Sequence, residues 1–188
     1  LGSVRIIKDT PFVVVTMNKN NKQIFEPFKI NFVTGETAQL LENKDPKNPI
    51  NDYIFDKDGN LFVSTGERSD LVTRPQAQQL NSALGKVLKI TKEGKPAPGN
   101  PYIGQQDTRP EIYSYGHRNV QGLALHPETG DLWEGEFGPR GGDEINLIKP
   151  AKNYGWPIIT YGIEYDGKTI GEGITQKAGM EQPVYYWD

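Results

Sequence analysis

The sequence predicts an all-β chain of antiparallel sheets. Three observations carry that reading: strand-length runs of β-branched and aromatic residues, turn residues between those runs, and one hairpin unit that recurs. Phe12-Val13-Val14-Val15 is the first run. Phe28, Ile30 and Phe32 then alternate with Lys29 and Asn31, the period of a strand with one buried face. Tyr53-Ile54-Phe55, Leu61-Phe62-Val63, Val87-Leu88-Lys89-Ile90 and Glu111-Ile112-Tyr113-Ser114-Tyr115 follow. Between them fall Val33-Thr34-Gly35, Asp58-Gly59-Asn60, Glu93-Gly94-Lys95 and Thr129-Gly130-Asp131, whose Gly and Asn residues accept the positive φ of tight hairpins. Only Gln76 to Leu84 has helix composition, with Pro75 placed where a first helical turn accepts proline. Pro183-Val184-Tyr185-Tyr186-Trp187-Asp188 reads as one more strand.

The recurring unit sets the architecture. The stretch from Asp58 to Glu67 is answered by the stretch from Thr129 to Gly138, each a hairpin turn feeding an alternating strand, and Gly59 and Gly130 lie 71 residues apart. Repeated hairpin units at such spacing suggest propeller blades with long loops or a similar repeat array. A chain of 188 residues holds about 2.6 such units, whereas a closed ring takes about 4 to 8 blades. The expectation is a partial β-propeller: residues 1–188 as a fragment of a single propeller domain, about three blades of four-stranded antiparallel sheet.

Composition narrows the partners. With 24 acidic and 21 basic residues the formal charge is −3, and no cluster of Lys and Arg marks a nucleic acid or anionic membrane surface. No apolar stretch is long enough for a transmembrane helix, and no cysteine is present for a disulfide, a thiolate metal site or a cysteine nucleophile.

Two segments carry candidate chemistry. In Tyr115-Gly116-His117-Arg118-Asn119-Val120-Gln121-Gly122-Leu123, Arg118 and Asn119 place a planar cationic fork beside an amide, a pair suited to carboxylates and to quinone or carbonyl oxygens. The segment from Glu134 to Asn146 combines carboxylates with glycines, and its carbonyl and side-chain oxygens suit a hard cation such as Ca²⁺. Within it, Glu144 precedes apolar Ile145 and Leu147 and reads as a half-buried carboxylate that needs a partner or a metal. Asp56-Lys57-Asp58-Gly59-Asn60 resembles a calcium loop only in outline, because Leu61 stands where such a loop needs glycine; it reads as a hairpin turn. His117 and His126 are the only histidines. With neither a second His nor a Cys near either, zinc is disfavoured; His117, next to Arg118, reads as a satisfied loop imidazole ahead of a residue placed near a ligand, and His126, before Pro127, as a strand-end turn residue. No Gly-x-Ser-x-Gly, phosphate-binding glycine loop or Ser-His-Asp arrangement is found.

Taken together, Leu80 to Ile90, Gly99-Asn100-Pro101-Tyr102, Tyr115 to Gly122, Glu136 to Ile148 and Lys152-Asn153-Tyr154-Gly155-Trp156-Pro157 resemble the glucose/sorbosone dehydrogenase family, over residues 50 to 188 and in the same order. These are soluble quinoprotein sugar dehydrogenases built as six-bladed propellers around pyrroloquinoline quinone (PQQ) and calcium. The resemblance implies oxidation of an aldose at its anomeric carbon to the lactone, with an external electron acceptor and a periplasmic or secreted location. It assigns Arg118 and Asn119 to PQQ, the carbonyls of Gly138 and Pro139 to the calcium at the quinone, and Glu144 with the Tyr154 carbonyl to a second calcium. The family's general-base histidine falls at Asn48, which cannot serve as that base, and Asn51-Asp52 replaces the family's Gly-Arg. The alternative that follows is a calcium-binding propeller of the same family that recognises a glycan or protein without catalysis.

Overall fold

The computed structural model describes residues 51–188 in full and, ahead of them, the backbone of Ile50 and of four strands: β1 (Val4–Ile6), β2 (Phe12–Lys19), β3 (Lys22–Asn31) and β4 (Thr37–Gln39). These four pair antiparallel in the order β1-β2-β3-β4. The run Phe12–Val15 lies in β2, and Phe28 and Ile30 lie in β3. Phe32, the turn at Val33-Thr34-Gly35 and Asn48 lie outside the described residues.

Two more sheets of the same plan follow. One runs β5 (Ile50–Phe55), β6 (Leu61–Thr65), β7 (Lys86–Ile90), β8 (Ile112–Tyr115); the other runs β9 (Val120–Leu125), β10 (Leu132–Glu136), β11 (Asp143–Ile148), β12 (Tyr185–Trp187). All pairings are antiparallel between neighbours, so each sheet is a meander of the kind that makes a propeller blade. The echo in the sequence has a structural meaning. Gly59 and Gly130 adopt φ of +80° and +75° in the turns that lead into β6 and β10, the second strands of consecutive sheets.

Alternation places the core. Leu61, Val63, Leu88, Ile90 and Ile112 bury one face of the β5–β8 sheet with Tyr53 and Tyr102. Phe62 and Val87 point the other way and pack against Val120, Leu123, Leu132, Ile148 and Tyr154, sealing the β5–β8 sheet to the β9–β12 sheet.

The helix expected at Gln76–Leu84 is absent. The segment forms only a 3-10 turn at Arg74–Gln78, with Pro75 in its first turn. The reason lies in Lys86, a fully buried residue whose ammonium donates to the carbonyls of Gln76 (2.9 Å), Ala77 (2.9 Å) and Leu84 (2.6 Å). Gly116 N–H also donates to Ala77 O at 2.9 Å. Carbonyls engaged in this way are lost to an i→i+4 ladder, so tertiary contacts override local propensity.

Candidate functional site

Residues 116–119 join β8 to β9, the connection that crosses from one sheet to the next. The loop is clamped by backbone bonds: His117 N–H donates to Gly85 O (3.2 Å), Trp156 N–H to Gly116 O (2.8 Å) and Glu67 N–H to Arg118 O (2.9 Å). Gly85 is required here, because at φ +63° a Cβ would lie 2.4 Å from His117 O.

The Arg118 side chain is 5% exposed and spans the gap to the glycine-rich loop after β10. Its Nη1 donates to Phe137 O and to Gly138 O, both at 2.7 Å, while Nη2 lies 3.3 Å from the Tyr165 hydroxyl and 3.4 Å from Ser69 Oγ. The guanidinium packs over the Trp156 ring at 5.4 Å, and Arg74 approaches the same ring at 5.2 Å. Arg118 Nε is buried with no hydrogen-bond partner. Asn119 accepts from Asn51 Nδ2 (3.0 Å) and Gln121 Nε2 (2.8 Å) on its side-chain oxygen. Arg68 reaches the same neighbourhood through Asn51 Oδ1 at 2.9 Å. Glu67 lies among Arg68, Arg74 and Arg118; burial raises its carboxyl above the ordinary range, and the three guanidiniums oppose that rise, Arg118 most.

The loop 137–142 holds its shape by close approach. A Cβ on Gly138 would lie 2.1 Å from Gly141 O, and one on Gly142 would lie 2.3 Å from Gly162 N. Gly138 N–H donates to Asp143 Oδ1 at 2.8 Å. Arg118 and Gly138 are thus in direct contact, and Asn119 joins the same loop through Phe137 N–H to Asn119 O at 3.1 Å.

Beneath the loop lies a buried polar cluster. Glu134 and Glu136 project from β10 on the face they share with Asn146 and Glu144 of β11, their cross-strand partners. Asn146 Nδ2 donates to Glu134 Oε1 (2.8 Å), Glu144 Oε2 (3.1 Å) and Glu136 Oε1 (3.5 Å). The β9–β10 register shifts at Gly135/Glu136, and Glu136 Oε2 accepts from the backbone N–H groups of Arg118 (2.7 Å) and Asn119 (3.3 Å). Burial and the neighbouring Glu136 push the carboxyls of Glu134 and Glu144 up to about 7 and about 8. Burial alone lowers the His117 imidazole, but the two β10 carboxylates outweigh it and raise the group to about 9. Tyr154 stacks on His117 with ring centroids 4.7 Å apart, and its hydroxyl donates to Leu147 O at 2.7 Å.

Several sequence expectations are now placed. His126 is a turn residue whose Nδ1 accepts from the backbone of Glu128 and Thr129, both at 3.3 Å. Asp56 caps its hairpin turn, accepting on Oδ1 from the backbone of Asp58 (2.9 Å) and Asn60 (2.8 Å). Asp52 Oδ2 accepts from Leu123 N–H at 2.7 Å, so the residue that replaces the family's arginine ties β5 to β9. Reading along the chain missed the arrangement around His117, because its neighbours Glu134 and Glu136 come from another strand. It also missed Trp156 as a platform for guanidinium groups. The β10 alternation of acidic and other residues was the available signal for the first.

The donor set fits the cofactors that the resemblance implies. A buried guanidinium with an unused N–H, among two further arginines, suits a polyanionic quinone, and carbonyls that converge on a positive group suit a hard cation.

Comparison with known proteins agrees with the fold and this pattern. The glucose/sorbosone dehydrogenase family model matches residues 39–188. The aldose sugar dehydrogenase YliI of Escherichia coli (strain K12) is 47% identical over 135 residues, covering 71% of this chain and 36% of that protein. A crystal structure of a glucose dehydrogenase superposes with a TM-score of 0.84 at 36% identity, over 98% of this chain and 57% of that one. The PQQ-bound aldose sugar dehydrogenase of Streptomyces coelicolor gives a TM-score of 0.71 at 30% identity, over 96% of this chain and 50% of that one. The three four-stranded meanders are therefore blades of a partial β-propeller. The chain belongs to the glucose/sorbosone dehydrogenase family and spans 36% of the length of its E. coli relative.

Proposed function

We propose that the protein oxidises an aldose at the anomeric carbon to its lactone, using PQQ and calcium, and that an external electron acceptor then reoxidises the cofactor. The observation that carries this reading is Arg118: buried against Trp156, bonded to the carbonyls of Phe137 and Gly138, and beside Asn119 at the crossing between two sheets. In this reading Arg118 and Asn119 hold the cofactor, the Gly138 and Pro139 carbonyls hold the calcium beside it, and Glu144 with the Tyr154 carbonyl holds a second calcium. Bound there, PQQ supplies the two-electron oxidant and calcium the electrophilic assistance. The chain's own contribution is orientation. Glu136 fixes the backbone of Arg118 and Asn119, and the glycine-rich loop sets the carbonyls opposite them.

The E. coli and Streptomyces coelicolor relatives named as aldose sugar dehydrogenases support the substrate class, and the PQQ-bound structure supports the cofactor. No helix among the described residues is long and apolar enough to cross a membrane; the periplasmic or secreted location rests on the family resemblance alone. Asn48, at the position of the family's base, favours the second reading, a calcium-binding propeller that recognises a glycan or protein without turnover.

Reconstitution of the full-length protein with PQQ and Ca²⁺, followed by a dye-reduction assay with aldoses, separates the two. Aldose-dependent reduction is expected, together with quinone absorbance that survives dialysis. No turnover and no retained absorbance would leave the non-catalytic reading. Arg118→Lys, which loses the planar fork, should weaken PQQ binding by about 10-fold or more.

A further inference from the structure

The polar cluster under the Arg118 loop contains a group that the proposed chemistry does not use. His117 is wholly buried, with Nε2 2.8 Å from Ser114 Oγ. Its Nδ1 has no hydrogen-bond partner and faces Glu134 Oε1 and Glu136 Oε1, each 3.7 Å away. That separation exceeds the range of about 2.7 to 3.2 Å for an N–H···O bond. It is close to the separation of about 3.4 Å between two ligands held at about 2.1 Å by one tetrahedral ion. Ligand atoms of His117, Glu134 and Glu136 all lie within 4.8 Å of one another, and Glu134 Oε2 is also buried without a partner.

We propose that His117 Nδ1, Glu134 and Glu136 form a buried site for a divalent cation of the Zn²⁺ class. The nitrogen ligand selects against calcium, which takes oxygen donors, and separates this site from one built on Glu144 and the Tyr154 carbonyl. Its surroundings suit a metal ligand. An entering ion would displace the proton from Nδ1 while Nε2 donates to Ser114 Oγ, and stacking on Tyr154 fixes the ring. Charge points the same way. Three carboxyl groups, Glu134, Glu136 and Glu144, surround the Asn146 amide with one imidazole beside them, and a dication that displaces the imidazole proton would offset the carboxylates on either side of it. Bound there, the ion would anchor Glu136 and, through it, the backbone of Arg118 and Asn119.

The test uses the full-length protein, unfolded with a chelator and refolded with Zn²⁺ and Ca²⁺ together. After dialysis, metal per chain is measured by elemental analysis. One zinc per chain is expected in the wild type. His117→Gln and Glu134→Gln should each lower zinc affinity by at least about 10-fold while leaving calcium content unchanged. Glu134→Gln preserves side-chain shape, so the test stands if His117→Gln does not fold. Cobalt in place of zinc should give a visible absorption band that both substitutions remove. Folded wild type without stoichiometric zinc would overturn the proposal, as would zinc content equal in wild type and variants, or uptake of calcium alone that Glu134→Gln abolishes.

Discussion

The second strands of the two fully described blades have the same position, the same entering turn and opposite interiors. β6 reads Leu61-Phe62-Val63-Ser64-Thr65 and is buried throughout, while β10 reads Leu132-Trp133-Glu134-Gly135-Glu136 and buries alternate residues. With the 71-residue offset, Glu134 stands where β6 has Val63, and Glu136 where it has Thr65. In the β5–β8 blade those positions are filled by packing and by Thr65 Oγ1 donating to Ala83 O. In the β9–β12 blade they carry carboxylates that reach His117, Asn146 and the backbone of Arg118 and Asn119. The difference teaches that a blade requires only burial at alternate positions. The chemistry comes from which buried positions are polar and what the neighbouring blade offers them.

Exchange of the two interiors is the hardest test of this comparison. Val63→Glu puts a carboxylate into an apolar cluster that offers it no cation, and should cost about 4 kcal/mol or more in denaturant unfolding. Glu134→Val in metal-free protein should cost less, about 1 to 2 kcal/mol, because it takes one acceptor from Asn146 Nδ2 and one carboxylate from beside His117 while relieving Glu136 of a like neighbour. Equal losses for the two would show that the blades do not differ in this way. Gly138→Ala should come next, at about 3 kcal/mol, because the added carbon meets backbone that cannot move aside. In contrast, Gly59→Ala and Gly130→Ala meet nothing within 4 Å and should each cost only the strain of positive φ, about 1 kcal/mol, equally in both blades. Thermal melts of each pair measure this directly.

The smallest effect belongs to the turns themselves. Burial raises the Asp56 carboxyl, but its bonds to Lys89 and Asn60 prevail and hold it below the ordinary value of 3.8. A carboxyl lowered on folding stabilises above its unfolded value, and that contribution is lost as the pH falls through the folded one. Asp56→Asn should therefore remove at most about 1 kcal/mol near neutrality and flatten the acid limb of the stability profile below about pH 4. In the His126 turn the acceptor for the backbone N–H groups of Glu128 and Thr129 is the imidazole Nδ1 and not a carboxylate.

Much of the β-structure was legible along the chain because its signals are local. Runs at Tyr53–Phe55, Leu61–Val63 and Val87–Ile90 fall inside β5, β6 and β7, and the terminal aromatic run forms β12. The helix expected at Gln76–Leu84 failed because Lys86 takes carbonyls that the helix would have used, a contact invisible to propensity. Arg118 and Asn119 stood out by residue type, yet nothing in their spacing showed that the guanidinium would meet Gly138 across the loop.

The sequence by itself determined the strands, the turns and the repeat that makes them blades, since alternation and positive-φ residues act over a few neighbours. Only the tertiary structure decided that Arg118 meets the glycine-rich loop and that His117 faces two carboxylates of β10. Those contacts join residues from different strands, and their geometry depends on how two sheets pack, which no local pattern encodes.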